Sequence, residues 1–226
     1  MKQNEGIFFA KKFFNQYNAL SYNNLVNITT FGQDYYWKKK ISSKVAKKGL
    51  ILDLACGTGI LSFLLKQKGH DVFGLDLTYD YISQLKSKEH SFFCINGVAE
   101  FLPFKNNYFD YVVSSYLPKY SNLRFLADEC YRVLKKGGVV VLHDFIYPIR
   151  PVFQELWKFY FKILKLSGKI LKNWSNVFDE LDLLIMKSDW YVNLPKILIE
   201  KGFDQVISET LTFETSAIVC AKKNER

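Results

Sequence analysis

No apolar run in the 226 residues is long enough to carry a helix across a bilayer. The opening stretch "MKQNEGIFFAKKFFNQYN" lacks an uninterrupted apolar core and a small-residue cleavage site, so it does not read as a secretory signal. A cytoplasmic location is the expectation. Cysteine is scarce: Cys56, Cys94, Cys130 and Cys220 stand far apart without metal-ligand spacing, and are expected as reduced core thiols with no metal bound. There are three histidines, His70, His90 and His143. Neither an internal repeat nor a low-complexity tract is present. With 49% apolar and 17% aromatic residues, the composition excludes a disordered chain. Acidic residues are short too, 22 against 31 Lys plus Arg, for a formal charge of +9. That excess suits an anionic membrane, nucleic acid, an acidic substrate or simply a basic surface, and does not choose among them.

What is there is alternation. From Leu50 onward, short apolar runs alternate with helical spacing. "LILDLA" is continuously apolar, as a strand covered on both faces should be. Ile60, Leu61, Leu64 and Leu65 then recur at helical spacing, up to Gly69. "DVFGLD", "SFFCI", "FDYVVSS" and "VVVLHDF" read as further strands, with helices near residues 79–87 and 122–134, the second stopped by "KKGG". The tail gives a helix near residues 194–201 and two runs, "DQVISETLTF" and "TSAIVCAKK", close enough to form an antiparallel hairpin at a sheet edge. The expected fold is α/β: a doubly wound, mostly parallel, seven-stranded sheet in one domain. Residues 1–48 would form a helical cap, 49–145 the core, 146–190 an inserted helical lid, and 191–226 the closing helix and edge strands.

The turn "Asp53-Leu54-Ala55-Cys56-Gly57-Thr58-Gly59" ends a strand and opens a helix. Its glycines let the backbone approach a ligand closely. A dinucleotide fingerprint needs a third glycine, and Ser62 stands there instead. Asp53 would repel a pyrophosphate but attract an ammonium. Asp76 closes the second strand in "GLDLT", where a short carboxylate can accept both ribose hydroxyls while Leu77 lies against a base. An amino-acid end, a ribose and an adenine together describe S-adenosylmethionine.

With these residues the chain resembles the class I S-adenosylmethionine-dependent methyltransferases over residues 50–145, a likeness carried also by "NGVAEFLPFKNNYFDYVVSS" and "ECYRVLKKGGVVVLHDF". A narrower likeness is to the C-methyltransferases of ubiquinone and menaquinone biosynthesis. Tyr22, Phe31, Gly32, Trp37 and Lys38 in "SYNNLVNITTFGQDYYWKKK" match that family's segment before the glycine turn, and "LTFETSAIVCAKK" is similar to its final strand. Asn23 stands where the family has aspartate, Val98 where it has an acid or amide near the adenine, and "YLPKY" replaces its Phe-Gly-x-Arg-Asn. The resemblance assigns Asp53, Ala55, Gly57, Thr58 and Gly59 to the methionine end of the cofactor. Asp76 and Leu77 go to ribose and adenine, and Val98 and Ala99 to the adenine edge. Ser115 falls near the sulfur, and Tyr22 closes the pocket from the cap.

An activated sulfonium methyl needs positioning above all. A phenolic acceptor also needs a base, for which His143, near the ligand-side end of the fifth strand, and its neighbour Asp144 are the candidates. The Asn/Asp-Pro-Pro-Tyr/Phe of enzymes that methylate nucleobase amines is absent; the corresponding place reads "SSYLP". The acceptor expected is small or lipid-soluble, such as a quinone precursor. Another metabolite, RNA, or cofactor binding without turnover stay open, as does the atom methylated. Lys158, Lys162, Lys165, Lys169 and Lys172 recur every three or four residues and would share a helix face, either solvated or laid on an anionic membrane, unless Gly168 breaks the helix.

Overall fold

The computed structural model describes residues 5–225. The first four residues of the expected cap, and of the stretch read for a signal, lie outside the described residues, as does the last residue of the expected edge segment.

Four helices come first: α1 (Glu5–Phe13), α2 (Gln16–Ala19), α3 (Tyr22–Thr29) and α4 (Gln33–Ser43). The alternating core follows as β1 (Leu50–Leu54), α5 (Ile60–Gln67), β2 (Asp71–Asp76), α6 (Tyr79–Lys88), β3 (Cys94–Asn96), β4 (Phe109–Ser115), α7 (Leu123–Val133) and β5 (Leu134–Phe145). Two helices, α8 (Pro151–Gly168) and α9 (Ser175–Ser188), intervene before α10 (Trp190–Glu200), β6 (Phe203–Leu211) and β7 (Ser216–Lys223). The strands form one seven-stranded sheet in the order β3-β2-β1-β4-β5-β7-β6. β1 to β5 are parallel, and β7 runs antiparallel between β5 and β6. This is the doubly wound, mostly parallel sheet with an antiparallel edge hairpin that the alternation predicts.

The central strands are apolar on both faces because helices cover both. Leu52, Val112, Val140 and Leu142 pack against α7 and α10. Their chain neighbours Ile51, Val113 and Val141 point the other way, against Trp37, Ile41, Leu61 and Leu65 of α4 and α5. Each such fully buried aliphatic side chain contributes about 1.5–3 kcal/mol relative to exposure. A third cluster joins Phe13 to Trp157, Phe161, Leu164, Trp174 and Phe178, so the N-terminal helices and the α8–α9 pair pack on one another over the ligand-side end of the sheet.

Three local expectations change. α7 ends at Val133, and "KKGG" lies within β5, where the register against β4 shifts between Phe109 and Tyr111 and Gly137 takes φ +75°. β3 is shorter than "SFFCI" and begins at Cys94. The lysine stripe is not one helix face: α8 stops at Gly168, where the start of α9 comes close, an added Cβ meeting Ser175 Cα at 3.3 Å. Lys158, Lys162 and Lys165 belong to α8, whereas Lys169 follows its end and Lys172 starts a short 3₁₀ turn. The cysteines form no disulfide, although the fold brings Cys56 and Cys94 to 3.4 Å between sulfurs.

Candidate active site

Adjacent strands β1 and β4 mark the place where the chain reverses its winding direction, and ligands in such sheets sit beyond the carboxyl ends of the strands there. Both strands end in strained backbone at that edge: Ala55 has φ +55° after β1 and Tyr116 φ +71° after β4. Gly57 follows with φ +54°, and a Cβ built on it would meet nothing closer than Tyr81 Cδ1 at 3.8 Å. The missing side chain therefore leaves room above the turn. Gly59 (φ +85°) differs, because a Cβ there would press on Leu85 and Phe63 at 3.0 Å; it packs the helix entry.

The Asp76 carboxylate accepts the Gly57 N–H at 2.8 Å and the Thr78 N–H at 2.7 Å. Each oxygen thus holds one backbone donor and keeps lone pairs for a ligand. Burial pushes its pKa up to about 6, against those two hydrogen bonds. Asp53 lies beneath the turn and accepts from Ser62 Oγ at 2.6 Å. That bond explains why serine occupies the third position of the glycine pattern. Burial raises Asp53 further, to about 7, with Ser62 and Lys38 acting to lower it.

Tyr22, Ala55, Gly57, Asp76, Leu77, Val98, Ala99 and Ser115 line one cleft, so the fold gathers eight of the residues read as cofactor contacts. Asp53, Thr58 and Gly59 stand behind its wall. Thr58 Oγ1 instead donates to Asn23 Oδ1 at 2.5 Å, tying the turn to the cap. Phe14, Tyr81 and Tyr120 also line the cleft and were not foreseen. The room over Gly57, the buried carboxylate and the apolar walls at Leu77, Val98 and Ala99 fit a nucleoside with a compact polar tail. The cleft is narrow, about 90 Å³, below the roughly 300 Å³ at which ligand sites begin. The cap is tied to this edge of the sheet by the Tyr81 hydroxyl, which donates to Asn18 Oδ1 at 2.8 Å.

Phe14, Tyr22, Tyr116 and Tyr120 form a wall shared with a second cavity of about 800 Å³ between the cap, α8 and α9. Its lining is mostly aromatic and aliphatic, with Thr29, Thr30, Gln33, Thr212 and Thr215 as its uncharged polar members. Among the described residues the one charged side chain that lines it is Lys119, in the 3₁₀ turn Pro118–Tyr120 after β4. Lys119 is 2% exposed; its Nζ donates to Asp144 Oδ1 at 2.5 Å, and its backbone N–H donates to Asp144 Oδ2 at 2.9 Å. His143 and Asp144, the candidate bases, are fully buried and line neither cavity. His143 Nδ1 lies 3.2 Å from Ser115 Oγ, and burial, with Lys38 and Lys119 nearby, holds its pKa well below the usual value. It packs as a neutral ring against Trp37 and Tyr116. As neighbours on β5 the two side chains leave the strand on opposite faces: His143 packs on the side of Trp37, and Asp144 is taken up by Lys119 on the other. Sequence reasoning passed over Lys119 and Asp34, whose Oδ1 accepts from Lys38 and, at 2.8 Å, from the Tyr116 hydroxyl. The signal available for Lys119 was a lysine in "YLPKY", next to the strand end that faces the cofactor.

Residues 2–223 match the model of the ubiE/COQ5 methyltransferase family. The chain is 30% identical over 207 residues to the demethylmenaquinone methyltransferase of Staphylococcus saprophyticus, covering 87% of this chain and 89% of that protein. It is also 30% identical over 216 residues to the demethylmenaquinone methyltransferase of Chlorobaculum parvum, covering 91% and 89%. Among solved structures, an S-adenosylmethionine-dependent methyltransferase fold from Methanococcus maripaludis superposes with a TM-score of 0.68 over 96% of both chains at 16% identity. A glycine turn, a strand-end carboxylate on the next strand and a family match over nearly the whole length agree: the chain belongs to the ubiE/COQ5 methyltransferase family and is an S-adenosylmethionine-dependent methyltransferase.

Proposed function

We propose that the protein methylates a ring carbon of a reduced quinone that bears an isoprenoid tail, an acceptor of the demethylmenaquinol kind. The observation that carries this reading is the apolar cavity of about 800 Å³ that shares a wall with the cofactor cleft. It has room for a two-ring nucleus and the first units of a tail, and it would desolvate a water-soluble, charged acceptor at high cost. The names of the two relatives agree with it. S-adenosylmethionine supplies an electrophilic methyl on sulfur. Gly57 and Asp76 would fix the cofactor at the turn, with Leu77, Val98 and Ala99 along the base and Ser115 and Tyr22 near the methyl. The shared aromatic wall would hold the acceptor ring in line and exclude water. In the balanced reaction the ring carbon gains the methyl, its hydrogen leaves as a proton, and the sulfonium becomes a thioether.

The cavity mouth extends the reading to a membrane surface. Phe31, Leu156 and Phe213 line the cavity yet are 80%, 59% and 67% exposed, so they form its rim. From Leu156 an exposed apolar stripe continues along α8 through Phe159, Ile163 and Leu166, flanked by exposed Lys158, Lys162 and Lys169. Lys165 is engaged with Asp182 and Lys158 with Glu155. An apolar face edged by lysines suits the headgroup region of an anionic bilayer, where a lipid-soluble acceptor resides. No described helix is long and apolar enough to cross a membrane. The test is methyl transfer from labelled cofactor into lipid, small-molecule and RNA fractions of a quinone-containing cell extract. Label in the lipid fraction is expected; label confined to a water-soluble fraction would overturn the reading.

A further inference from the structure

Lys119 is a costly residue to place where it is. A buried ammonium is tolerated only when its charge and its donors are met. Asp144 meets the charge and takes one N–H. Among the described residues no other hydrogen-bond acceptor is recorded for Nζ; it lies instead over the rings of Tyr120, Phe145 and Tyr116, at 4.3, 5.4 and 5.5 Å from their centres. It lines the 800 Å³ cavity directly beside the wall shared with the cofactor cleft.

The neighbouring titratable groups are accounted for. On β5, Asp144 is bonded to Lys119 and His143 is kept neutral by burial. On α4, Asp34 and Lys38 pair with each other, and Asp34 also takes the Tyr116 hydroxyl. The hydroxyls of Tyr22 on α3, and of Tyr116 and Tyr120 beside Lys119, are held in the protonated form by burial first and by nearby acids second. Burial also draws Lys119 below the ordinary lysine value, which Asp144 opposes. Among the described residues the one cation lining this mostly apolar cavity is thus this ammonium, oriented by a carboxylate behind it.

We propose that Lys119, positioned by Asp144, binds a hydroxyl oxygen of the acceptor and favours its ionised form beside the cofactor methyl. The inference rests on an aromatic hydroxylated acceptor and identifies the atom recognised: an oxygen on a flat apolar ring, able to carry negative charge. An opposite charge within hydrogen-bond reach lowers an acidic group's pKa by about 1–3 units, enough to turn a neutral phenol into a stronger carbon nucleophile near neutral pH.

The test uses 4-nitrophenol, whose anion absorbs visible light, titrated with the full-length protein across pH. Bound to the unmodified protein, the probe should ionise roughly one pH unit or more below the free probe. The shift should be retained in part by Lys119→Arg and lost in Lys119→Met. Lys119→Met leaves Asp144 buried without a partner, so the double variant Lys119→Met/Asp144→Asn removes both charges and keeps the measurement valid if the single variant fails to fold. Calorimetry should give the same cofactor affinity in every folded variant. An unshifted probe on the unmodified protein, failure of the probe to bind, or an equal shift in the folded double variant would overturn the assignment. A Lys119-dependent shift without methyl transfer to a quinol would retain the oxygen site and reject the quinone acceptor; quinol methylation with no shift would do the reverse.

Discussion

Asp53→Asn removes a carboxylate buried directly beneath the cofactor turn while keeping its size and an acceptor for the Ser62 hydroxyl. In the folded protein Asp53 titrates near 7, against 3.8 as its ordinary value. The folded state therefore holds a proton that the unfolded chain releases between those two pH values. The contribution to stability is full below about pH 4 and is lost as pH rises towards 7, at about 1.4 kcal/mol per pH unit. Between pH 5 and pH 8 the loss amounts to about 2–3 kcal/mol, a large part of the roughly 5–15 kcal/mol of a typical domain. Asparagine does not titrate. The variant should thus gain about 2–3 kcal/mol on the parent protein across that interval, levelling off above pH 7. Urea unfolding of both proteins without cofactor, followed by circular dichroism at half-unit pH steps, reads the difference directly. Taking a difference cancels the opposite slope from His143, whose burial favours its neutral form. A constant difference from pH 5 to 8 would show that Asp53 is ionised throughout and would refute the reasoning from burial.

Asp76→Ala deprives the Gly57 and Thr78 N–H groups of their acceptor and the ligand of its carboxylate; losing a hydrogen bond to a charged acceptor costs about 1.5–3 kcal/mol, so calorimetry should show ten- to hundredfold weaker cofactor binding. Gly57→Val places a branched side chain at φ +54° in the open space of the cleft; it should abolish measurable cofactor binding and cost about 1–3 kcal/mol in strain, read by calorimetry and thermal melting. Phe159→Glu with Ile163→Glu puts charge on the exposed stripe of α8; sedimentation with anionic vesicles should be lost while cofactor affinity holds, and equal sedimentation would remove the membrane reading. Trp190→Ala empties a buried site and frees the Phe145 carbonyl that Trp190 Nε1 reaches at 2.7 Å; a loss of about 3–5 kcal/mol is expected in urea unfolding.

The sheet was legible because its signals are local. "LILDLA" and "VVVLHDF" are apolar on both faces, and the glycine turn with Asp76 one strand later is a chemical statement about a ligand. The N-terminal and α8–α9 helices were legible only as helical regions. α8 stops at Gly168, where Ser175 packs close, a contact between segments that periodicity does not show. The lysine stripe was lost for the same reason, since Lys169 and Lys172 lie beyond that stop. Position in the sheet directed attention to His143 and Asp144, but a strand's alternation sends them to opposite faces, His143 against Trp37 and Asp144 onto Lys119. Lys119 was invisible because its role requires a tight turn to fold it back onto Asp144. Asp53 and Ser62 are nine residues apart, and only the helix entry makes them partners.

The most direct measurement is methyl transfer by the purified full-length protein from labelled S-adenosylmethionine to demethylmenaquinone presented in vesicles, once reduced to the quinol and once left oxidised. The account predicts saturable transfer to the quinol alone, with the label on a ring carbon by magnetic resonance and mass spectrometry. Tight cofactor binding with no label in the quinol, or label on an oxygen instead of a ring carbon, would contradict it.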